Sequence, residues 1–185
     1  MRGYFIDSAK NLLKGEGLKS ISVRHVAHHA GYSYATLYHY FKDLNELIFV
    51  CVEDFQKEAE EFIAQKTERQ VDGKDKLKAT VQAYAEYFVE YPGVFELFFL
   101  ERMGDIGNKC RTSELIYTFL DRVCQPQWDA CVKAGLFTEA ESGKKKDQLR
   151  FGVMGMLLFY ENRMSPDNYA DFIKQARTMI DDIVG

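Results

Sequence analysis

Between Ile21 and Leu37 the chain gives the same local instruction twice. Ile21-Ser22-Val23-Arg24-His25-Val26 offers Ser22 as a helix cap, with Ile21 and Val26 placed as a hydrophobic staple across it. Tyr32-Ser33-Tyr34-Ala35-Thr36-Leu37 repeats the pattern, with Ser33 as cap and Tyr32 and Leu37 as staple. Gly31 lies between them, where left-handed backbone ends the first helix after about two turns. Two short capped helices joined by a glycine-containing turn form a helix-turn-helix, and the rest of the chain has to be read around that unit.

The neighbouring segments supply its supports. Phe5, Ala9, Leu12 and Leu13 recur at helical spacing on a helix that Gly15 and Gly17 are expected to end. After the second capped helix, Asp43-Leu44-Asn45-Glu46 is a further start signal, with a cap residue followed three positions on by Glu. From there a stripe through Leu47, Ile48, Cys51, Val52, Phe55, Ala59, Phe62 and Ile63 continues to about Thr67. A helix of that length spans roughly 35 Å.

No period-2 strand is convincing anywhere, and the remainder also reads as helices. Leu77, Val81, Tyr84, Ala85, Phe88 and Val89 share one face, and Tyr91-Pro92-Gly93 breaks that helix before a short apolar one over 94–100. A helix over 112–134, kinked at Pro126, is expected next, followed by a connection around Gly143-Lys144-Lys145-Lys146. Helices over 147–164 and 166–184 complete the chain, the last one started by Ser165 as cap and Pro166 at its first position. The fold class is therefore all-α with about nine helices, a helix-turn-helix domain over residues 1–45 and a helical domain over residues 46–185, the second expected to be a ligand-binding and dimerisation domain on the residues given below.

Composition removes several alternatives. With 46% hydrophobic and 28% charged residues and only three prolines, the sequence is that of a folded globular chain. The amino terminus carries no apolar stretch of signal-peptide length, and the longest apolar run, 151–160, is about half of the roughly 20 residues a spanning helix needs. The expectation is a cytoplasmic protein without membrane contact. Cys51, Cys110, Cys124 and Cys131 have neither zinc-site spacing nor the density of a disulfide scaffold, which makes them small apolar core residues. His25 and His29 stand four apart on one helix, but no third ligand is suitably spaced, so no metal or other cofactor is expected.

Net charge is −4, which taken alone disfavours a nucleic-acid partner. Its distribution is uneven. Residues 1–50 hold six basic and four acidic side chains, giving +2 against −6 for the remainder, and they hold all four histidines. With Leu37 and Phe41 in the core, Tyr34, Ala35, Thr36, Tyr38 and His39 project from the second short helix. This is a hydroxyl-bearing and aromatic set that suits phosphates and base edges better than an ordinary Glu- and Lys-rich solvated face. Packing of the tyrosines on the preceding helix would account for the same residues equally well.

The run Ser22-Val23-Arg24-His25-Val26-Ala27, then Ala30-Gly31-Tyr32-Ser33, Thr36-Leu37-Tyr38-His39-Tyr40-Phe41-Lys42 and Glu46-Leu47 resembles the DNA-binding signature of the tetracycline-repressor (TetR) family, over roughly residues 4–50. The resemblance implies a transcriptional regulator, a repressor that binds double-stranded operator DNA as a homodimer and answers to a small-molecule effector, and it implies no enzymatic activity. It places Ser22 and Arg24 against phosphate and a base edge. It puts Tyr34, Ala35, Thr36, Tyr38 and His39 in or along the major groove and Tyr40 and Lys42 on the backbone, and it counts Ser33 among the DNA-binding residues. Two positions depart from the family pattern: Leu44 and Tyr34 stand where a lysine is common. Fewer cations imply weaker non-specific affinity and a flatter salt dependence.

Beyond the signature only pattern is available. Tyr84, Phe88, Phe95, Phe98, Phe99, Tyr117, Trp128, Phe151 and Met154 are candidate lining residues for a largely apolar ligand, with Glu96, Glu101 and Arg102 beside them as orienting groups. Gly152 and Gly155 permit close helix approach and, with Met156, Phe159, Phe172, Ala176, Met179 and Ile180, are expected to dimerise through a four-helix bundle. The rival readings are a ligand-binding enzyme that uses the aromatic cluster and a scaffold that keeps the helix-turn-helix as packing. No Ser-His-Asp order, phosphate loop or metal-ligand set supports the enzyme.

Overall fold

The computed structural model describes residues 1–100 and 109–185, and every regular element among them is helical. The elements are α1 (Arg2–Glu16), a 3-10 turn (Leu18–Ser20), α2 (Val23–His29), α3 (Tyr34–Tyr38), α4 (Leu44–Thr67), α5 (Lys74–Glu90) and α6 (Pro92–Phe95). A π-helical turn (Glu96–Leu100) continues α6. Then come α7 (Lys109–Tyr117), α8 (Phe119–Lys133), α9 (Glu139–Glu161) and α10 (Tyr169–Val184). Glu101 and Arg102, expected beside a ligand, lie outside the described residues, as does the Cys110 side chain.

Several boundaries differ from the sequence expectation, each for a local reason. Helix α1 passes through Gly15 and ends at Gly17, whose φ of +73° is left-handed and whose N–H reaches the Leu13 carbonyl at 3.3 Å. The helix expected over 112–134 is two helices, broken at Thr118, where ψ of −1° interrupts the ladder, while Pro126 sits inside α8 without ending it. Gly143 to Lys146 is helix, not connection. A capping box starts α9 upstream: Thr138 Oγ1 accepts from the Glu141 N–H at 3.2 Å and Glu141 Oε2 accepts from the Thr138 N–H at 2.7 Å. Helix α10 begins not at Pro166 but after Asn168, which is extended (φ −138°, ψ 156°) and accepts from the Asp171 N–H at 3.0 Å. Asn168 meets a first-turn donor that Ser165 stands too far upstream to reach.

The chain groups into two compact units, residues 1–58 with 91–117 and residues 59–90 with 118–185. In the first, α1 packs on α2 and on α6, and α2 on α3. Phe5, Ala9, Leu13, Val26, Leu37, Phe41 and Leu47 close its core with almost no exposure. Gly93 seats the start of α6 on the carboxy-terminal end of α1. A Cβ there would run into the Leu13 carbonyl and stand 2.8 Å from that of Lys14. Glu58 ties α4 to α1 by pairing with Lys10 and accepting from Lys14 Nζ at 2.7 Å.

In the second unit α5 packs on α8, α9 and α10, α8 on α9, and α9 on α10. Leu77, Val81, Phe88, Phe119, Trp128, Leu157 and Phe172 fill that core. Buried Gln127 holds the start of α5 to α8, accepting from the Gly73 N–H at 2.9 Å and donating to Asp72 at 3.2 Å. No described helix is long and apolar enough to cross a membrane. Cys51, Cys124 and Cys131 are buried and free, and burial pushes the Cys51 thiol up to about 12.

Candidate nucleic-acid interface

The helix-turn-helix is held by backbone bonds that its sequence supplies. Ser22 Oγ accepts from the His25 N–H at 3.1 Å and Ser33 Oγ from the Thr36 N–H at 3.2 Å, so both serines cap the helices they precede. Gly31 takes φ +76°. There the Tyr32 N–H reaches the Ala27 carbonyl at 2.9 Å and the Gly31 N–H that of His28 at 3.0 Å, the paired bonds of a Schellman turn. The staples close on this frame, with Ile21, Val26 and Leu37 buried and Tyr32 half-buried against Phe5 at a ring separation of 5.5 Å. Asp43 Oδ1 accepts from the Glu46 N–H at 2.9 Å, and the Glu46 carboxylate turns back to the Lys42 N–H at 2.6 Å, which fixes the link from α3 into α4.

The DNA-binding candidates read from the sequence lie outside this core. Ser22, Arg24, Ser33, Tyr34, Ala35, Tyr38, His39, Tyr40 and Lys42 are exposed and Thr36 is half-buried, its hydroxyl 2.9 Å from that of Ser33. Tyr34 and Tyr38 leave 56% and 53% of their surface open, although Tyr34 still meets Arg24 of α2. Tyr40 leans on Phe5 at 6.1 Å and is only just exposed. Arg24 and Lys42 are the basic residues between positions 22 and 42. His28 and His29 are exposed, while His25 Nδ1 donates to the Ser20 carbonyl at 3.1 Å. Among the described residues no group of three or more His, Cys, Asp or Glu is placed to hold a metal.

The residues expected to line a ligand cavity fall into separate surroundings. In the first unit Phe95 and Phe98 are buried against half-buried Phe99, at ring separations of 5.4 and 5.9 Å, and Tyr117 is 58% exposed. In the second, Tyr84, Phe88 and Trp128 are buried, with Tyr84 at 4.9 Å from Phe88 and 5.6 Å from Phe119. Met154 is half-buried there and Phe151 is 67% exposed. A recess of about 350 Å³ in the second unit, within the range of small-molecule sites, is lined by Ile63, Ala64, Thr67, Thr80, Val123 and Pro126, with Glu60, Lys76, Arg122 and Gln127 also on its wall. None of the aromatic candidates lines it. Of the dimerisation set, Phe172, Ala176 and Ile180 are buried in the chain's own core. Gly152 lies against the Met179 sulfur, which would stand 2.5 Å from a Cβ at that position, whereas Gly155 faces open space. Met156 and Met179 are half-buried and Phe159 is 50% exposed.

A closed three-helix module with capped short helices and an outward polar and aromatic face defines a helix-turn-helix DNA reader joined to a helical body. Residues 5–51 match the family described as "Bacterial regulatory proteins, tetR family". That match covers the helix-turn-helix and its supports, 47 of the 185 residues. Solved structures repeat the fold over the full length of the chain. The transcriptional regulator FadR from Bacillus subtilis, solved with stearoyl-CoA, is 15% identical with a TM-score of 0.77, over 100% of this chain and 98% of its own. PfmR from Thermus thermophilus is 21% identical with a TM-score of 0.63, over 100% and 95%. RolR, solved with resorcinol, is 16% identical with a TM-score of 0.66, over 97% and 85%. At these identities the likeness is one of fold.

Sequence reasoning missed two features of the first unit. Gly93 read as part of a break, not as the point where α6 meets α1, and no periodicity marks a glycine used for close approach. The Glu58 pairing with Lys10 and Lys14 joins residues more than 40 positions apart, and local patterning carries no signal for it.

Proposed function

We propose that the protein is a transcriptional repressor, a homodimer that binds double-stranded operator DNA through α2 and α3 and is controlled by a small, largely apolar effector. The observation that carries this reading is the exposure of Ser22, Arg24, Ser33, Tyr34, Ala35, Tyr38, His39, Tyr40 and Lys42 around a core closed by Phe5, Val26, Leu37 and Phe41. Tyr34, Ala35, Thr36, Tyr38 and His39 meet the major groove, and Ser22, Ser33, Tyr40 and Lys42 hold phosphate, since hydroxyls and lysine position the protein while groove-facing side chains specify sequence.

Dimerisation proceeds through the carboxy-terminal helices, with Gly155, Met156 and Phe159 of α9 and Met179 of α10 as the accessible part of the interface. Two copies present two recognition helices to half-sites about 34–36 Å apart or a multiple of it. The relatives solved with stearoyl-CoA and with resorcinol favour an effector with a substantial apolar part. Its binding is coupled to DNA through α4, which begins two residues after Lys42, and through the seat of α6 on α1 at Gly93. The effector acts only through a difference in affinity between two states, and a coupling of about 1–3 kcal/mol changes operator affinity roughly 5–150-fold.

The test compares Lys42→Ala with His39→Gln on a selected operator duplex. Lys42→Ala is expected to weaken all duplexes alike and to lower the salt slope by about one for each phosphate the variant no longer neutralises. His39→Gln is expected to change which sequence wins, by about 1–3 kcal/mol at one position. Unchanged binding by both variants contradicts the docking.

A further inference from the structure

Arg24 and Tyr34 meet across the turn of the helix-turn-helix. The guanidinium carbon of Arg24 stands 6.0 Å from the centroid of the Tyr34 ring, and both side chains are exposed. Arg24 is the second residue of α2 and Tyr34 the first of α3, so the pair joins the amino-terminal ends of the two helices. The backbone beneath each is fixed by the Ser22 and Ser33 caps and by the two bonds at Gly31.

We propose that Tyr34 is a positioning residue for Arg24, and that Arg24, held by the tyrosine ring, reads a guanine in each half-site through O6 and N7. The proposal rests on the DNA-reading function above and changes the role of Tyr34 from a direct base contact to a support. A guanidinium is planar, and when one face rests on an aromatic ring its edge N–H groups stay free to donate. Bidentate donation to guanine requires that plane to be held. A phosphate accepts the same fork, so it is the place of Arg24 beside the recognition helix that favours a base edge. The residues at the start of a recognition helix are those that reach base edges, and Tyr34 puts Arg24 beside them. The ring is what supports Arg24, so the Tyr34 hydroxyl is dispensable.

The test starts from duplexes selected out of a random pool by the full-length wild-type protein. Affinities for the selected duplex, and for duplexes with each guanine pair replaced in turn, are then measured at one salt concentration. The proteins compared are wild type, Arg24→Ala, Arg24→Lys, Tyr34→Ala, Tyr34→Phe and the Arg24→Ala/Tyr34→Ala double variant. Wild type is expected to lose about 5–150-fold on replacement of one particular guanine. That discrimination should vanish in both Arg24 variants, fall sharply in Tyr34→Ala and survive in Tyr34→Phe, and Tyr34→Ala should add little on top of Arg24→Ala. Three results overturn the proposal: uniform weakening of all duplexes by the Arg24 variants with a shallower salt slope, which marks a phosphate contact; full guanine discrimination in Tyr34→Ala; or loss of discrimination in Tyr34→Phe, which makes the hydroxyl the reader. Failure of the wild type to enrich any sequence removes the DNA-reading function itself, a different outcome from enrichment that the variants leave unaltered.

Discussion

Replacing Gly93 by Ala adds one methyl group where α6 meets α1, and the structure sets both the size and the sign of the effect. The new Cβ would collide with the Leu13 carbonyl oxygen and stand 2.8 Å from that of Lys14. Both obstacles are backbone, so neither can rotate away. Gly93 does not have a positive φ, so alanine fits its local conformation and the penalty is steric alone. Overpacking of this kind costs about 1–3 kcal/mol, offset by the roughly 0.4–1 kcal/mol that Gly→Ala returns through the unfolded chain. Gly143→Ala is the control, because Gly143 lies inside α9 with nothing within 4 Å of its Cβ, and there only the favourable part remains. Urea unfolding at one protein concentration, followed by helical circular dichroism, should give a lower midpoint for Gly93→Ala and a higher one for Gly143→Ala. Midpoints that move together, or a Gly93→Ala variant as stable as wild type, would refute the α1–α6 seat.

Ser22→Ala and Ser33→Ala should each lose about 1 kcal/mol, the usual worth of an N-cap, measurable by the same unfolding. Burial pushes the Glu58 carboxyl up, but hydrogen bonds and charge from Lys10 and Lys14 outweigh it and hold the group below the ordinary carboxylate range. Its contribution is therefore present above the unfolded value and lost as pH falls through the lowered one. The stability gap between wild type and Glu58→Gln should be open at pH 7 and shrink on acid titration, and a gap independent of pH would contradict the pairing. In a Cys110→Ser background, Cys51, Cys124 and Cys131, all buried and with raised thiol values, should resist a thiol reagent at pH 8 and react only on unfolding. Light scattering should return twice the 21.4 kDa chain mass, and Phe159→Glu should move it toward the single-chain value. A wild-type mass of 21.4 kDa across micromolar concentrations would rule out the dimer.

The helix-turn-helix was legible in the sequence because its determinants are local. Ser22, Ser33 and Gly31 act on backbone groups within five residues of themselves, so identity and spacing suffice to place them. Placing Leu37 and Phe41 in the core left Tyr34 and Tyr38 either exposed or packed on the preceding helix, and only the folded chain shows them exposed. Legibility ended where a competing local signal was stronger than the one chosen. Ser165-Pro166 is a good start motif, but Asn168 caps α10, and the Gly-Lys-rich stretch at 143–146 lies inside a helix that the Thr138–Glu141 box had already begun. It ended again at long range. Phe172, Ala176 and Ile180 show the same apolar spacing whether they face their own chain or a second one, and only packing places them in the chain's own core. The aromatic residues of the body are equally ambiguous, since Trp128 is buried and Phe151 exposed with nothing in their spacing to separate them.

The most direct test of the account is the specificity of the wild-type protein for DNA. A duplex enriched from a random pool and a scrambled duplex of the same length and composition are titrated at one near-physiological salt concentration, and the ratio of the two dissociation constants is taken. Sequence-specific readers bind their sites typically 10³–10⁷-fold tighter than other DNA, and the exposed Ser22–Lys42 face predicts a ratio of at least about 10³, with an enriched site of two related half-sites. Equal affinity for the two duplexes would contradict it and leave the helix-turn-helix a packing element only.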